Sequence, residues 1–162
     1  MFRRFLAVLA LLLFPHFLMA QGADVAFSGM EYDAAAPVEI VSDQLAVDQS
    51  QNVASFLGNV IVVQGLLRLG ADQVVVEYAS DESGDISAVI ASGNVTFVNG
   101  AEAAEAQKAE YTLASGEIIM TGDVLVTQGR SALSGQKLVV NLETGKGEMI
   151  GRVKTILRSG TP

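Results

Sequence analysis

The sequence predicts an all-β chain folded as a single curled antiparallel sheet, and three observations carry that expectation. A two-part unit is written four times, each part alternates apolar and polar residues, and a glycine recurs at one fixed place in the alternating runs. A fixed period of this size marks a repetitive architecture. Alternation over short runs is the pattern of strands rather than helices.

The first part of the unit is Gly58-Asn59-Val60-Ile61-Val62-Val63-Gln64-Gly65, repeated as the stretches beginning Gly93-Asn94-Val95 and Gly122-Asp123-Val124 and, decayed, as Gly151-Arg152-Val153. The leading glycines are 35, 29 and 29 residues apart. The second part is anchored at Asp43, Asp72, Gln107 and Gln136, spaced 29, 35 and 29. Each anchor precedes its glycine by 15 residues, except in the second unit, where the gap is 21 and the polar turn Ser80 to Asp85 supplies the extra six.

Before the repeats, the chain opens with Arg3 and Arg4, an apolar run from Phe5 to Phe14, and small Ala20 after Phe17-Leu18-Met19. A basic start, a short apolar core and a small terminal residue predict a cleaved secretory signal over residues 1–20; the apolar run is shorter than the ~20 residues of a spanning helix and Pro15 interrupts it. Residues 21–37, with Gly22, Ser28, Gly29 and Ala34-Ala35-Ala36-Pro37, read as a flexible mature N-terminus. The leader holds two of the ten basic residues and none of the eighteen acids, so the mature charge is 8 minus 18, or −10. Nucleic acid, whose phosphates attract basic patches, is thereby excluded as a partner. The protein has no cysteine, so an exported product rests on packing and sheet pairing alone.

From Val38 onward the alternation sets in. Around each repeated glycine, Phe56, Ala91, Met120 and Met149 stand two before, Val60, Val95, Val124 and Val153 two after, and Val62, Phe97, Val126 and Thr155 four after. Even offsets share a strand face, so one face is apolar and the other mixed. In the second part, Leu45 and Val47, then Val74, Val76 and Tyr78, then Ala109 and Tyr111, then Leu138, Val140 and Leu142 fall on one side. Four glycines inside strands fit either bends or bulges that curl the sheet, or hairpin turns. Phe56-Leu57 and Met149-Ile150 run into their glycines without a polar break, which favours the bend; turns are better placed at Asp48 to Asn52, Ser83 to Asp85, Ala114 to Gly116 and Glu143 to Gly147. The stretch Glu102 to Ala109, rich in alanine and glutamate, reads as a loop entering a strand.

Catalytic chemistry finds little footing. His16, the single histidine, leaves with the signal, and with no cysteine the usual metal ligands and nucleophile–base pairs are gone, so no metal site, no cofactor and no enzyme activity are expected. Asp81, Glu82 and Asp85 lack the ordered ligand spacing of a calcium loop and read as a solvated turn.

The stretches Val38 to Leu45, Ala54 to Gly65 and Leu69 to Tyr78 resemble the OstA-like domain family of periplasmic lipopolysaccharide-transport bridge proteins, and the resemblance runs from Val38 to about Leu157. It implies a twisted β-jellyroll, a half-barrel with an apolar groove, over residues 38–158, followed by a short tail at 159–162. It also implies a periplasmic protein that conducts lipopolysaccharide, acyl chains inward, between an inner-membrane transporter and an outer-membrane assembly complex. Like domains would join head to tail through edge strands at Val38 to Val47 and Val153 to Leu157. The positions matching the family's inward pattern are Val47, Phe56, Val60, Val62, Val74, Val76, Tyr78, Val95, Phe97, Tyr111, Met120, Val124, Val126, Leu138 and Val140. Each of these also fits a plain hydrophobic core. Basic residues are thin before Lys137, Lys146, Arg152, Lys154 and Arg158, a departure from what a carrier of phosphorylated lipid suggests.

Two other readings stay open. One is a membrane-anchored periplasmic partner of the same fold; the other is a self-assembling β-repeat protein with a filled core. On the groove reading, Val60→Asp is expected to block transport and Asn59→Asp, on the opposite face, to leave it intact.

Overall fold

Alternating apolar residues form strands wherever one face finds cover, and the described residues, 23–26, 36–81 and 83–157, follow that rule in a computed structural model of the chain. The strands are β1 (Ala23–Ala26), β2 (Glu39–Val41), β3 (Gln44–Asp48), β4 (Val53–Gln64), β5 (Leu67–Tyr78), β6 (Ile86–Asn99), β7 (Glu102–Thr112), β8 (Glu117–Gln128), β9 (Ser131–Asn141), β10 (Lys146–Ile150) and β11 (Lys154–Ile156). No helix occurs among the described residues. The expected signal, residues 1–20, and the tail, 159–162, lie outside them.

All strands join one antiparallel sheet in the order β1-β10-β9-β8-β7-β6-β5-β4-β2, with β3 also on β4 and β11 also on β9. The single antiparallel sheet is as the sequence predicts. Residues 21–37 differ in part from the expectation: Ala23–Ala26 pairs with β10, Ala23 opposite Met149 and Ala26 opposite Lys146. An open edge is a template for any extended segment, and β10 takes this one. The stretch from Glu102 is likewise strand from its first residue, not a loop, because it has a ladder on both sides, Glu102 pairing with Asn99 of β6 and Gln128 of β8.

Three of the four repeated glycines, Gly58, Gly93 and Gly122, are bulges inside long strands, and the fourth, Gly151, lies between β10 and β11. Leu57 pairs with Gln73 and Val60 with Ala71, so Gly58-Asn59 stands opposite Asp72 alone; Gly93-Asn94 faces Gln107 and Gly122-Asp123 faces Gln136 in the same way. Both residues of each bulge are left-handed, with φ of 77° and 46° at Gly58-Asn59 and 75° and 47° at Gly93-Asn94. Asparagine and aspartate are the non-glycine residues that bear this conformation best. The anchors of the second repeated part lie against these bulges: Asn59 Nδ2 donates to Asp43 Oδ2 at 2.8 Å, Asn94 Nδ2 to Asp72 Oδ2 at 2.9 Å, and Gln107 Nε2 to Asp123 Oδ2 at 3.1 Å. The two halves of the repeat therefore meet in space, and the bulges form one line across the sheet. The glycines closing the repeated octets do something else. Gly65, Gly100 and Gly129 open two-residue hairpin loops with φ near +58°, the position where a type II′ turn demands glycine.

Turn chemistry is local and polar. The Asp48 carboxylate accepts from Ser50 Oγ at 2.6 Å and Ser50 N at 2.9 Å. Those bonds, the hydroxyl's first, hold its pKa below the ordinary carboxylate value. A depressed carboxyl supports the folded state above its unfolded pKa and loses that support as pH falls through the folded one. Ser50→Ala is expected to raise the Asp48 pKa toward the ordinary value; a carboxyl-carbon NMR titration reads it, and an unchanged midpoint would show that the hydroxyl bond is not the cause.

Candidate functional site

Cross-strand partners point to the same face, so the register sorts the inner side chains into rows that run across the strands. Just past the bulge line, Val60 pairs with Ala71, Val95 with Ala106 and Val124 with Gly135. Large meets small at each step. Val60, Val95 and Val124 are 1%, 1% and 0% exposed, and Met149 leaves no room for a Cβ at Gly135. This row is a closed spine.

On one side of the spine run two further apolar rows. The nearer is Phe56, Val74, Ala91, Ala109, Met120, Leu138 and Met149; the farther is Ala54, Val76, Val89, Tyr111, Ile118, Val140 and Gly147. On the other side run Ile40, Val62, Leu69, Phe97, Ala104, Val126 and Leu133.

Between these walls lies a cavity of about 310 Å³. It is lined by Val74, Ala91, Ala109, Met120 and Leu138 of the nearer row, by Val76, Val89, Tyr111, Ile118 and Val140 of the farther row, and by Ile40, Val62, Leu69, Phe97 and Ala104 across the spine. Val38, Gln64, Leu67, Ile86, Leu113 and Leu142 complete it. The lining draws on both sides of the bulge line, so the strands fold over that line and the cavity is a groove with two walls. It extends from β2 to β9, six inter-strand steps or about 29 Å. Almost all of its lining is aliphatic or aromatic carbon, the surface that releases water most favourably to an apolar guest.

The fifteen positions singled out from sequence divide three ways. Val62, Val74, Val76, Phe97, Tyr111, Met120, Leu138 and Val140 line the groove. Val60, Val95, Val124 and Val126 share the inner face but are buried in the packed core, not the groove, and Phe56 packs against that core. Val47 and Tyr78 sit at the margins, 65% and 38% exposed, Val47 because β3 ends the sheet and Tyr78 because β5 ends there.

This placement changes the expected substitution pair. Val60→Asp would bury a charge in the spine and attack the fold, and Asn59→Asp would remove the amide that binds Asp43 and set two carboxylates together. Neither isolates the groove.

The sequence reading missed Val38, Ile40, Gln64, Leu67, Leu69, Ile86, Val89, Ala91, Ala104, Ala109, Leu113, Ile118 and Leu142 as lining residues.

Comparison with known proteins gives a consistent picture. The family model described as LptA/(LptD N-terminal domain) LPS transport protein matches residues 39–146. The lipopolysaccharide export system protein LptA of Escherichia coli (strain K12) is 46% identical over 52 residues, 32% of this chain and 28% of that protein. The protein of the same description from Haemophilus influenzae is 36% identical over 66 residues, 40% of this chain and 38% of its own length. The chain thus aligns with less than two fifths of either relative. Among solved structures, LptH of Pseudomonas aeruginosa, described as the LptA-homologous periplasmic component of the lipopolysaccharide transport device, superposes with a TM-score of 0.68 at 17% identity, covering 77% of this chain and 97% of that one. That likeness bears on the fold.

Proposed function

This chain belongs to the LptA/(LptD N-terminal domain) LPS transport protein family, and from that premise we propose that it is a periplasmic carrier that binds lipopolysaccharide by its acyl chains in the groove and passes it between inner and outer membranes. The observation that carries the reading is the groove itself, apolar on both walls and running across the strands from the β2 edge to β9. A guest with long apolar chains gains by leaving water there, at about 25 cal/mol per Å² buried. Its sugars and phosphates stay outside, so the protein needs few basic residues, which fits the acidic composition.

The edges suit joining. Val38, Val41, Leu45 and Val47 are all more than half exposed along β2 and β3, as is Leu157 beside β11. Strand addition at such edges would connect the chain to further copies, to an inner-membrane transporter and to an outer-membrane assembly complex, aligning successive grooves. The β1 strand lies on β10, so joining at that end uses β11 or displaces β1.

The test is site-specific photo-crosslinking in cells. A benzophenone side chain at Phe97, on the groove wall, is expected to yield a lipopolysaccharide adduct; one at Val98, which faces outward at 39% exposure, is expected to yield none. Equal labelling at both would remove the groove from the mechanism, and no adduct at Phe97 would favour the filled-core β-repeat reading.

A further inference from the structure

One inner row is unlike the rest. Beyond Val62, Leu69, Phe97, Ala104 and Val126, at the ends of the strands where the hairpin loops begin, the register pairs Gln64 with Leu67, Leu67 with Asn99, Asn99 with Glu102, Glu102 with Gln128 and Gln128 with Ser131. Five of its six members are polar, on the face whose other rows are apolar, and Gln64 and Leu67 themselves line the groove. The row therefore borders the groove at Gln64 and Leu67, and its next members, Asn99 and Glu102, stand two residues beyond the lining residues Phe97 and Ala104.

Its centre is not satisfied. Asn99 is 4% exposed, its Nδ2 is buried without a partner, and so is Glu102 Oε2. The other Glu102 oxygen accepts from Gln128 Nε2 at 2.5 Å. A buried donor and a buried acceptor left open on adjacent strands cost more than most core features tolerate. Directly opposed residues stand with Cα atoms about 4.5–5.5 Å apart, so one small group reaching between them meets both. That group must accept from an N–H and donate to a carboxylate. A hydroxyl is the smallest that does.

We propose that Asn99 and Glu102 form a binding site for a hydroxyl near the head end of an acyl chain held in the groove. The inference rests on the groove reading above. The hydroxyl oxygen accepts from Asn99 Nδ2 while its O–H donates to Glu102 Oε2, with Gln128 turning aside to admit it. The position at the groove's border sets the placement along the chain: the apolar tail lies between the walls, so the recognised hydroxyl is close to the head and not at the far end.

Binding of three probes to the mature protein tests this: tetradecanoic acid, 3-hydroxytetradecanoic acid and 14-hydroxytetradecanoic acid, each displacing a fluorescent fatty acid. The 3-hydroxy acid is expected to bind about tenfold tighter than tetradecanoic acid, the scale of two modest hydrogen bonds, and the 14-hydroxy acid no tighter. In Asn99→Leu the tenfold preference should collapse to within about twofold while tetradecanoic acid still binds. Glu102→Met keeps the length and removes the acceptor, and should do the same, which holds the test open if Asn99→Leu fails to fold. No preference in the wild type, or a preference surviving in either variant, overturns the site with the groove reading intact. Failure of tetradecanoic acid itself to bind overturns both.

Discussion

Gly93→Ala is expected to destabilise the fold by about 3 kcal/mol, the sum of a left-handed backbone and an overpacked contact. At Gly93 φ is +75°, and a Cβ would run into Asp72 Oδ2 and stand 2.8 Å from Asp72 Cβ and Cγ. The Asp72 side chain is held in place by Asn94 Nδ2, so it does not yield freely. Gly100→Ala separates the two causes, because φ there is +59° with nothing within 4 Å; it should cost only about 1 kcal/mol. Urea midpoints of both variants read the difference. In an Asp72→Gly background, which removes the Cβ, Cγ and carboxylate together, the cost of Gly93→Ala should fall toward that of Gly100→Ala, a coupling that a double-mutant cycle isolates. An equal cost with and without Asp72 would mean the close packing of anchor on glycine is not what fixes these residues.

That contact explains why the repeat was legible before its geometry was. The constant 15-residue interval from Asp43 to Gly58, Gln107 to Gly122 and Gln136 to Gly151 is the length of chain that leaves an anchor, turns, and returns beside it. The 21-residue interval returns to the same contact because Ser80 to Asp85 falls in the loop between β5 and β6. Even-offset reading around each glycine was sound on β4, β6 and β8, since three residues separate Phe56 from Val60, Ala91 from Val95 and Met120 from Val124. On β5, β7 and β9 the parity flips at the anchor. Ala71 and Val74 both face inward, as do Ala106 and Ala109, and Gly135 and Leu138, with only two residues between.

One alternation counted forward from the anchor finds Val74, Val76 and Tyr78 and passes over Leu67 and Leu69. The signal for the flip was present as a doubled polar step, Asp72-Gln73, Gln107-Lys108 and Gln136-Lys137. Two successive outward residues are what one strand shows where its neighbour bulges. The division between packed spine and open groove had no such signal, because Val60 and Val62 are chemically alike and differ only in what stands across from them. Nor did the pairing of Ala23–Ala26 with β10, a contact between segments more than a hundred residues apart.

Ala109→Phe is expected to abolish acyl-chain binding, weakening a fluorescent fatty acid by at least about tenfold, while the chain still folds. Ala109 stands in the nearer row between Ala91 and Met120, on the groove lining and 8% exposed. Alanine at Ala91, Ala104 and Ala109 leaves the space that a row of valines and leucines would fill, and a ring added there projects into the void rather than into packed neighbours. If the space is a true groove, the ring meets no wall and the urea midpoint changes little. If the core is in fact filled, the same ring is overpacked and costs about 1–3 kcal/mol, with no lipid binding to lose. Val98→Phe, on the outer face, adds the same ring without touching the groove and should bind as the wild type does. Binding that persists in Ala109→Phe would place the acyl chains elsewhere, and equal loss in both variants would point to the added aromatic surface itself.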